Sequence, residues 1–466
     1  MLCSLREWLE SFFVGKIYPI MVCSMMLAGY LTGLEFYFHI VNMLLLTVAL
    51  MVSTTVRPLM APLCSFVFQI SLQNTPATHN ISGFPSDYYF TEGRGEMVVL
   101  SFAVVAFGFA VFFIRNNLIT KAKLASLPLL FPSVLLALAF VFGGAFSDAW
   151  EIASLGFSLV QIVCWFLIFF VFYLGLKYED ADDVMEYFVY VCSLVALVLI
   201  AETVNLYATT DIPNHLAGGL NRAKIVYGWG ICQTAAQALM TLVPVILIGV
   251  SRCKWHTYYF VVAHLALAAS IMNVSRTAAI CGIPIYLIAL FISIARSKKK
   301  KRLLIAFFAM VAAGIVIFAL YWDKLWPSID DYIFRGFFDN GRFERWKFGI
   351  EAFLEDPIFG KGFFGLSESI PLSFTHVSFI PMMLHNTPVQ MLACFGIFGA
   401  VAYSVYRLST LKPFLKRPSY EKTMLGLSIL FILIGSLLEN YVFYIMPMFT
   451  YSIALAIVYK YADEGK

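Results

Sequence analysis

Four arginines stand where the chain leaves or re-enters long apolar segments: Arg222, Arg276, Arg342 and Arg345. Arg276 is the most informative, because NVSRTAA places it between two apolar runs with few residues able to neutralise its charge. An arginine at membrane depth is costly unless it is paired, so it marks a functional site or a side chain that reaches back to the interface. A planar guanidinium binds two oxygens at once, which makes a diphosphate a suitable partner. For Arg342 or Arg345 taken separately, a solvated helix face is the simpler explanation.

A histidine and an asparagine lie where a long loop gives way to apolar sequence, in MLHNTPVQMLACFGIFG. At this boundary His385 could accept a proton from an attacking hydroxyl or help to hold a phosphate, although a lone interfacial histidine is often structural. Asn386 places an amide beside it. His376, within the same loop, is a weaker competitor for this role.

The acidic residues give weaker signals. Glu35, Glu202 and Glu439 lie near predicted helix ends, where each could orient a hydroxyl or simply face the interface. The DxD pattern of Asp180 and Asp182 can hold a divalent metal on a nucleotide sugar, but so short a pattern also occurs by chance on a solvated face. The sequence has no P-loop, GxSxG or HExxH, and its nine cysteines include no CxxC, so we expect no metal and no other cofactor.

Membrane helices must position these residues. Of 466 residues, 61% are hydrophobic and 13% charged, whereas soluble domains are about half apolar and a quarter charged. The apolar runs predict an all-α polytopic membrane protein with about 12–14 transmembrane helices, the third of which is short, contains two prolines and suits a re-entrant segment. The runs are 15–33, 36–54, 56–70, 97–114, 124–142, 152–175, 184–206, 228–250, 257–273, 277–294, 303–321, 386–407, 423–440 and 443–460.

The predicted helix centres are nearly free of ionisable residues, which weighs against a transporter coupled to protons or ions. The net charge of +4 is too small to argue for a nucleic-acid partner, and the bilayer is the expected surrounding. Basic residues in short loops predict that both termini are cytoplasmic. The acidic stretch KYEDADD at 177–183 is the exception among the loops assigned to that side.

This topology places a loop of about 60 residues outside, long enough to fold over the membrane surface. In it, GRFERWKFGIEAFLEDP predicts an amphipathic helix with the apolar residues Phe343, Trp346, Ile350 and Phe353.

We divide the chain into N-terminal transmembrane helices at 1–206, central helices with arginines at their outer ends at 207–321, a large extracytoplasmic loop at 322–385, and C-terminal helices at 386–466.

Three blocks between 218 and 404 resemble the O-antigen ligase/O-antigen polymerase family of bacterial membrane glycosyltransferases. They are NRAKIVYGWGICQTAAQALMTLVPV, SRTAAICG, and the pair GRFERWKFGIEAFLEDPIFGKGFFG and HNTPVQMLACFGIFG. No single block is specific for the family. The order of the blocks, together with the long loop between the second and the third, is specific. Two positions depart from the family: Gln233 stands where asparagine is frequent, and Cys394 where an acidic residue is common.

The resemblance implies a fold like the GT-C-type membrane glycosyltransferases and work without a metal in the bacterial cytoplasmic (inner) membrane. It implies transfer of a glycan from an undecaprenyl-diphosphate carrier to a hydroxyl of a sugar or lipid-glycan acceptor at the outer face, in surface-polysaccharide polymerisation or O-antigen ligation. His385 and Arg276 would then be catalytic. Arg222, Arg342, Arg345 and Asn386 would bind substrate.

Two other functions remain open at this point. A flippase for polysaccharides or lipid carriers predicts basic residues that line a cavity rather than cluster at one face. A cytoplasm-facing glycosyltransferase that uses Asp180 and Asp182 would need the topology inverted.

Overall fold

A computed structural model describes most of the chain. The described residues are 2–65, 94–116, 127–177, 179–209, 227, 232–320, 322–323, 341–366, 382–416 and 418–465. Within these ranges the regular structure is helical, and no strand occurs. The prediction of an all-α polytopic membrane protein is confirmed.

The first half of the chain contributes nine helices among the described residues. They are α1 (Leu2–Val14), α2 (Ile17–Thr32), α3 (Glu35–Val52), α4 (Arg57–Cys64), α5 (Arg94–Arg115), α6 (Leu130–Phe142), α7 (Ile152–Ile162), α8 (Ile168–Gly175) and α9 (Ala181–Thr209). A π-helical turn, Val163–Leu167, joins α7 to α8. The predicted third run is observed as the short, buried α4, which ends before the segment at 66–93 that lies outside the described residues.

The second half of the described chain adds eight helices and one 3₁₀ turn. They are α10 (Cys232–Arg252), α11 (His256–Met272), α12 (Arg276–Arg296), α13 (Lys300–Leu320), α14 (Arg342–Glu355), α15 (Thr387–Leu415), α16 (Tyr420–Gly435), the turn Tyr441–Phe443, and α17 (Ile445–Asp463). Two differences from the sequence prediction matter below. Helix α15 continues to Leu415 rather than ending at Arg407, and α16 ends at Gly435.

Seven helices of the described residues are long and apolar enough to cross a membrane, or eight if the bent pair α1 and α2 is one span. Three shorter apolar helices accompany them. Helix α10 forms the centre of the bundle. It is almost entirely buried, and it packs against α9, α11, α12 and α16. A helix that is apolar all round belongs in such a core. The predicted count of about 12–14 spans stays a prediction.

One end of this bundle is held together by ion pairs. Arg252, the last residue of α10, pairs with Asp182 of α9 at 2.8 Å and with Glu421 of α16 at 2.9 Å. Tyr461 of α17 donates to the same Asp182 at 2.8 Å. Arg57, at the start of α4, pairs with Glu179, three residues before Asp182. Two of the four carboxylates in the acidic stretch 177–183 are therefore paired with arginines.

At the opposite half of the molecule, α15 is broken. Gly396 has φ 62° and ψ −159°, a conformation that is essentially confined to glycine. The break exposes backbone groups that the helix would otherwise pair, and the preceding segment supplies their partners. Lys361 N donates to Ala393 O at 2.9 Å, Gly362 N to Cys394 O at 2.8 Å, and Ile397 N to Pro357 O at 2.9 Å. Irregular backbone at membrane depth is tolerated when it is buried and paired in this way.

This junction depends on close backbone contact. A Cβ atom added at Gly396 would lie 2.4 Å from the carbonyl carbon of Ile358, and one added at Gly360 would lie 2.4 Å from the backbone nitrogen of Phe395. Gly144, in the turn after α6, donates its N–H to Phe359 O at 3.0 Å. Glycine at these positions allows segment 356–362 to lie inside the break, which we call the glycine junction.

Helix α14 confirms the predicted amphipathic helix, but its packed face differs from the predicted one. Gly349 and Ala352 are buried, whereas Phe343 and Ile350 are exposed. A Cβ atom at Gly349 would lie 2.5 Å from Leu384 Cδ1, so only a very small residue fits at this contact. Close packing of α14 against the start of α15 therefore places the small residues at the contact, whereas Phe343, Ile350 and Leu354 are exposed and Phe348 is partly buried against the core.

Candidate active site

A buried carboxylate, Glu439, joins two of the predicted site residues. Its side chain is only 2% exposed, and its Oε1 pairs with Arg342 Nη2 at 2.7 Å. Its other oxygen, Oε2, forms a hydrogen bond with His385 Nδ1. Arg342 belongs to α14, His385 precedes α15, and Glu439 lies in the link between α16 and α17. We call these three residues the Glu439 cluster.

The backbone around His385 is held in an unusual conformation. His385 has φ 54°, which non-glycine residues rarely adopt, and such strain is found preferentially at functional sites. Gln390 Oε1 accepts from the N–H of Leu384 at 2.8 Å. Asn386 caps α15 by accepting from Val389 N at 3.0 Å, and its Nδ2 donates to Leu437 O at 3.1 Å. These contacts fix the imidazole beside the link that carries Glu439.

The contact with Glu439 decides which imidazole nitrogen carries the proton. An ionised carboxylate only accepts hydrogen bonds, so Nδ1 must donate to it. In the neutral imidazole the lone pair is then on Nε2, on the far side of the ring from Glu439. The His385 side chain is 23% exposed, so the cluster has a face open to its surroundings. This arrangement suits a general base, because the carboxylate orients the ring and stabilises the imidazolium that forms when a proton is accepted.

Arg276 is the first residue of α12, which Ser275 caps by accepting from Ala278 N at 3.3 Å. The positive end of the helix dipole therefore adds to the guanidinium charge at this point. The buried Tyr441 is close enough to Ser275 and Glu439 to interact electrostatically with both, so the start of α12 and the Glu439 cluster lie in the same region. Burial, and then the nearby Glu439 carboxylate, raise the pKa of the Tyr441 phenol well above its usual range, so it stays protonated.

The remaining predicted residues are placed less centrally or are not described. Arg345 lies one turn after Arg342 on α14 and is half-buried. Arg222 and His376 lie outside the described residues. The structure thus brings His385, Asn386 and Arg342 together around Glu439, and the start of Arg276's helix lies in the same region.

The sequence prediction does not distinguish Glu439 from Glu35 or Glu202. The signal was present in LLENYVFY, where adjacent glutamate and asparagine interrupt a long apolar run. Asn440 donates from Nδ2 to Gln390 Oε1 at 2.9 Å, so this pair is a polar anchor for the link. A carboxylate in an apolar segment needs a cation or a hydrogen-bond donor as its partner. Arg342 and His385, both predicted as site residues from the sequence, are such partners.

The two aspartates of the DxD pattern contribute to the structure at the start of α9. Asp180 Oδ1 accepts from the backbone N–H of Asp182 at 2.8 Å and of Asp183 at 3.2 Å, which caps the start of α9. Asp182 pairs with Arg252 at the opposite end of the bundle from the Glu439 cluster. Among the described residues, no group of three or more histidine, cysteine, aspartate or glutamate side chains is arranged to hold a metal ion. Eight of the nine cysteines are free thiols, and all of these except Cys253 are buried.

Comparison with known proteins gives one match. Residues 261–404 match the family model described as O-antigen ligase, whereas no curated protein sequence matches the chain. The matched segment contains Arg276, Arg342, Arg345, His385 and Asn386, and Glu439 lies beyond its end. The match confirms the resemblance for the second and third sequence blocks, whereas the first block, at 221–245, precedes it. The chain is a multi-pass membrane protein in which residues 261–404 match the O-antigen ligase family.

Proposed function

We propose that this protein transfers a glycan from an undecaprenyl-diphosphate carrier to a hydroxyl of a sugar acceptor. The observation that carries the proposal is the Glu439 cluster, in which a buried carboxylate orients His385 and pairs with Arg342. Acceptor activation needs a base, and departure of the carrier needs positive charge. Both kinds of group are found at one end of the bundle.

In the proposed reaction, the acceptor hydroxyl attacks the anomeric carbon of the donor glycan and gives its proton to His385 Nε2. The bond between the anomeric carbon and the diphosphate oxygen breaks, and its electron pair leaves with the carrier diphosphate. Glu439 stays ionised and stabilises the imidazolium through Nδ1. Asn386 fixes the adjoining backbone and helps to position the acceptor.

Arg276 is proposed to hold the departing diphosphate. Its guanidinium offers two donors to phosphate oxygens, and the N-terminus of α12 adds a favourable dipole. Arg222 is proposed to assist, and Arg342 and Arg345 to contact phosphate or glycan. Preorganised cations in a water-poor site stabilise developing charge as a divalent metal does in other enzymes. We therefore propose transfer without a metal.

The active end is proposed to face away from the cytoplasm of a bacterium, with both termini inside. In support, the Arg252 end of the bundle also carries the basic residues around the start of α13 and the last turn of α15. Basic residues accumulate on the cytoplasmic side of membrane proteins. The Glu439 cluster lies at the other end of the same helices.

This orientation can be measured by cysteine labelling of intact cells with a membrane-impermeant maleimide. We expect Lys347→Cys, on α14 with a side chain 79% exposed, to be labelled from outside. Lys299→Cys, between α12 and α13, should be labelled only after the cells are permeabilised. The unmodified protein, whose described cysteines are mostly buried, is the control. Labelling of Lys299→Cys in intact cells would reverse the proposed orientation.

The reaction itself is tested with purified protein in lipid nanodiscs and an undecaprenyl-diphosphate-linked oligosaccharide. We expect glycan to leave the carrier, and the activity to persist in EDTA. Chain growth without another acceptor indicates a polymerase, whereas transfer that requires an added lipid glycan indicates a ligase. A donor that binds but yields no product with either acceptor would contradict the proposal.

The alternative of a flippase predicts basic residues along a translocation cavity. Arg276, Arg342 and Arg345 instead begin helices or lie in a first turn at one end of the bundle. This distribution favours the transferase. Movement of carrier-linked glycan between leaflets of protein-containing vesicles, without transfer to an acceptor, would favour the flippase.

A further inference from the structure

Arg407 is a cation inside the membrane helix α15. The sequence prediction ended this helix at Arg407, but it continues to Leu415, so the guanidinium lies among helices rather than at a terminus. Four aromatic rings surround it: those of Trp165 at 4.6 Å, Tyr403 at 4.9 Å, Tyr451 at 5.2 Å and Tyr406 at 5.7 Å. Its Nη1 donates to the Tyr451 hydroxyl at 2.9 Å.

No carboxylate of the described residues pairs with Arg407. Aromatic faces are attractive to a cation, and the attraction is largest when water is excluded. The expectation that the helix centres are nearly free of ionisable groups therefore has an exception here. A charge in a membrane helix is costly and marks a function by default, yet the proposed reaction makes no use of Arg407.

Trp165 connects this cation to the link that carries Glu439. Its ring is the closest of the four to Arg407, and its Nε1 donates to Val442 O at 2.8 Å. Gln161, one turn earlier, donates from Nε2 to Phe443 O at 3.0 Å. Both carbonyls belong to the 3₁₀ turn that begins two residues after Glu439.

The local helix geometry is adapted to this connection. Trp165 lies in the π-helical turn Val163–Leu167, and such turns are found frequently at functional sites. Ser452 of α17 donates to the carbonyl of Cys164 in the same turn at 2.7 Å. The indole is thus fixed between Arg407 on one side and the Val442 carbonyl on the other.

We propose that Arg407 is a positioning residue, which acts through Trp165 to hold the 3₁₀ turn and thereby to align Glu439 with His385. The effect on turnover rests on the proposed function, whereas the effect on the turn does not. Arg407 touches neither His385 nor a substrate in this scheme. Its charge is used to orient one indole ring.

Hydrogen exchange of the protein in nanodiscs tests the structural part without any substrate. We expect Arg407→Met and Trp165→Phe to speed amide exchange in peptides covering 437–445. Arg407→Lys, which keeps a cation, should have a smaller effect. Arg252→Met is the matched control, because it should speed exchange near Asp182 and Glu421 and leave 437–445 unchanged. Unchanged exchange at 437–445 in folded Arg407→Lys and Trp165→Phe would overturn the proposal.

Turnover tests whether the effect passes through His385. We expect Arg407→Met to lower kcat by roughly tenfold with little change in KM for the donor, because a desolvated cation–π contact is lost. Trp165→Phe should have a similar effect, because it removes the N–H that donates to Val442 O. Arg407→Lys, which keeps a cation, should lower kcat less. In a His385→Gln background the same substitutions should lower kcat no further. A full tenfold loss in that background would refute action through His385. If the unsubstituted protein transfers no glycan, the proposed function fails. The exchange experiment still tests whether Arg407 and Trp165 hold the 3₁₀ turn in place.

Discussion

Replacement of His385 by glutamine is expected to lower turnover by about 10²- to 10⁴-fold, while binding of the lipid-linked donor changes little. Glutamine can still donate a hydrogen bond to Glu439, but it cannot accept the acceptor's proton and release it later. Steady-state kinetics with a defined donor, together with a separate binding measurement, check both expectations.

The matched control is His256→Gln, at the start of α11 on the Arg252 side of the bundle. It should keep normal turnover. A second variant, Glu439→Gln, separates orientation from charge. It retains an oxygen that can accept from His385 Nδ1 but no longer stabilises an imidazolium, so turnover should fall less than in His385→Gln. Near-normal turnover of His385→Gln would exclude the base and leave this residue with a positioning role only.

Replacement of Arg276 by alanine is expected to reduce glycan transfer by at least about 10²- to 10³-fold, the usual effect of removing one preorganised donor from a developing negative charge. Arg276→Lys should restore little, because lysine keeps the charge and loses the planar pair of donors. Expression and membrane insertion should be close to normal in both variants. Transfer from the carrier, measured per mole of folded protein, is the readout.

Helix α12 supplies the control for this prediction, since it has an arginine at each end. Arg296→Ala removes the one at the opposite end from the Glu439 cluster and should leave transfer unchanged. Arg222→Ala should weaken transfer in the same direction as Arg276→Ala but by a smaller factor. Full activity of Arg276→Ala would show that its side chain merely reaches the interface.

The sequence predicted the helix starts and the amphipathic helix, which are set by residues that are neighbours along the chain. The predicted apolar runs begin at 277 and 386, within one residue of the observed starts of α12 and α15, where Ser275 and Asn386 cap the helices. The apolar residues that recur every three to four positions between 341 and 357 predicted the helix observed as α14. These features need only the periodicity and capping chemistry of neighbouring residues.

Features that depend on distant residues were missed or misjudged. Glu439 could be assigned to a helix end from its position, but its pairing with Arg342 depends on how α14 lies against the membrane helices. The predicted apolar run 386–407 ends at Arg407, whereas two of the rings around its guanidinium, those of Trp165 and Tyr451, come from other parts of the chain. Exposure of Phe343 and Ile350 follows from the narrow contact at Gly349, which hydrophobicity alone does not predict.

The glycine junction has a consequence for the biogenesis of the protein. The part of α15 before Gly396 rises about 1.5 Å per residue and is too short to cross a hydrocarbon layer of about 30 Å by itself. Unpaired backbone groups at a break are also costly in lipid. We therefore expect α15 to leave the translocon as one continuous helix. The break then forms only when segment 356–362, which is synthesised earlier, docks into it and supplies its hydrogen bonds. The last membrane helices must be in place before the mature shape exists, so assembly of the site is a late, post-insertion event.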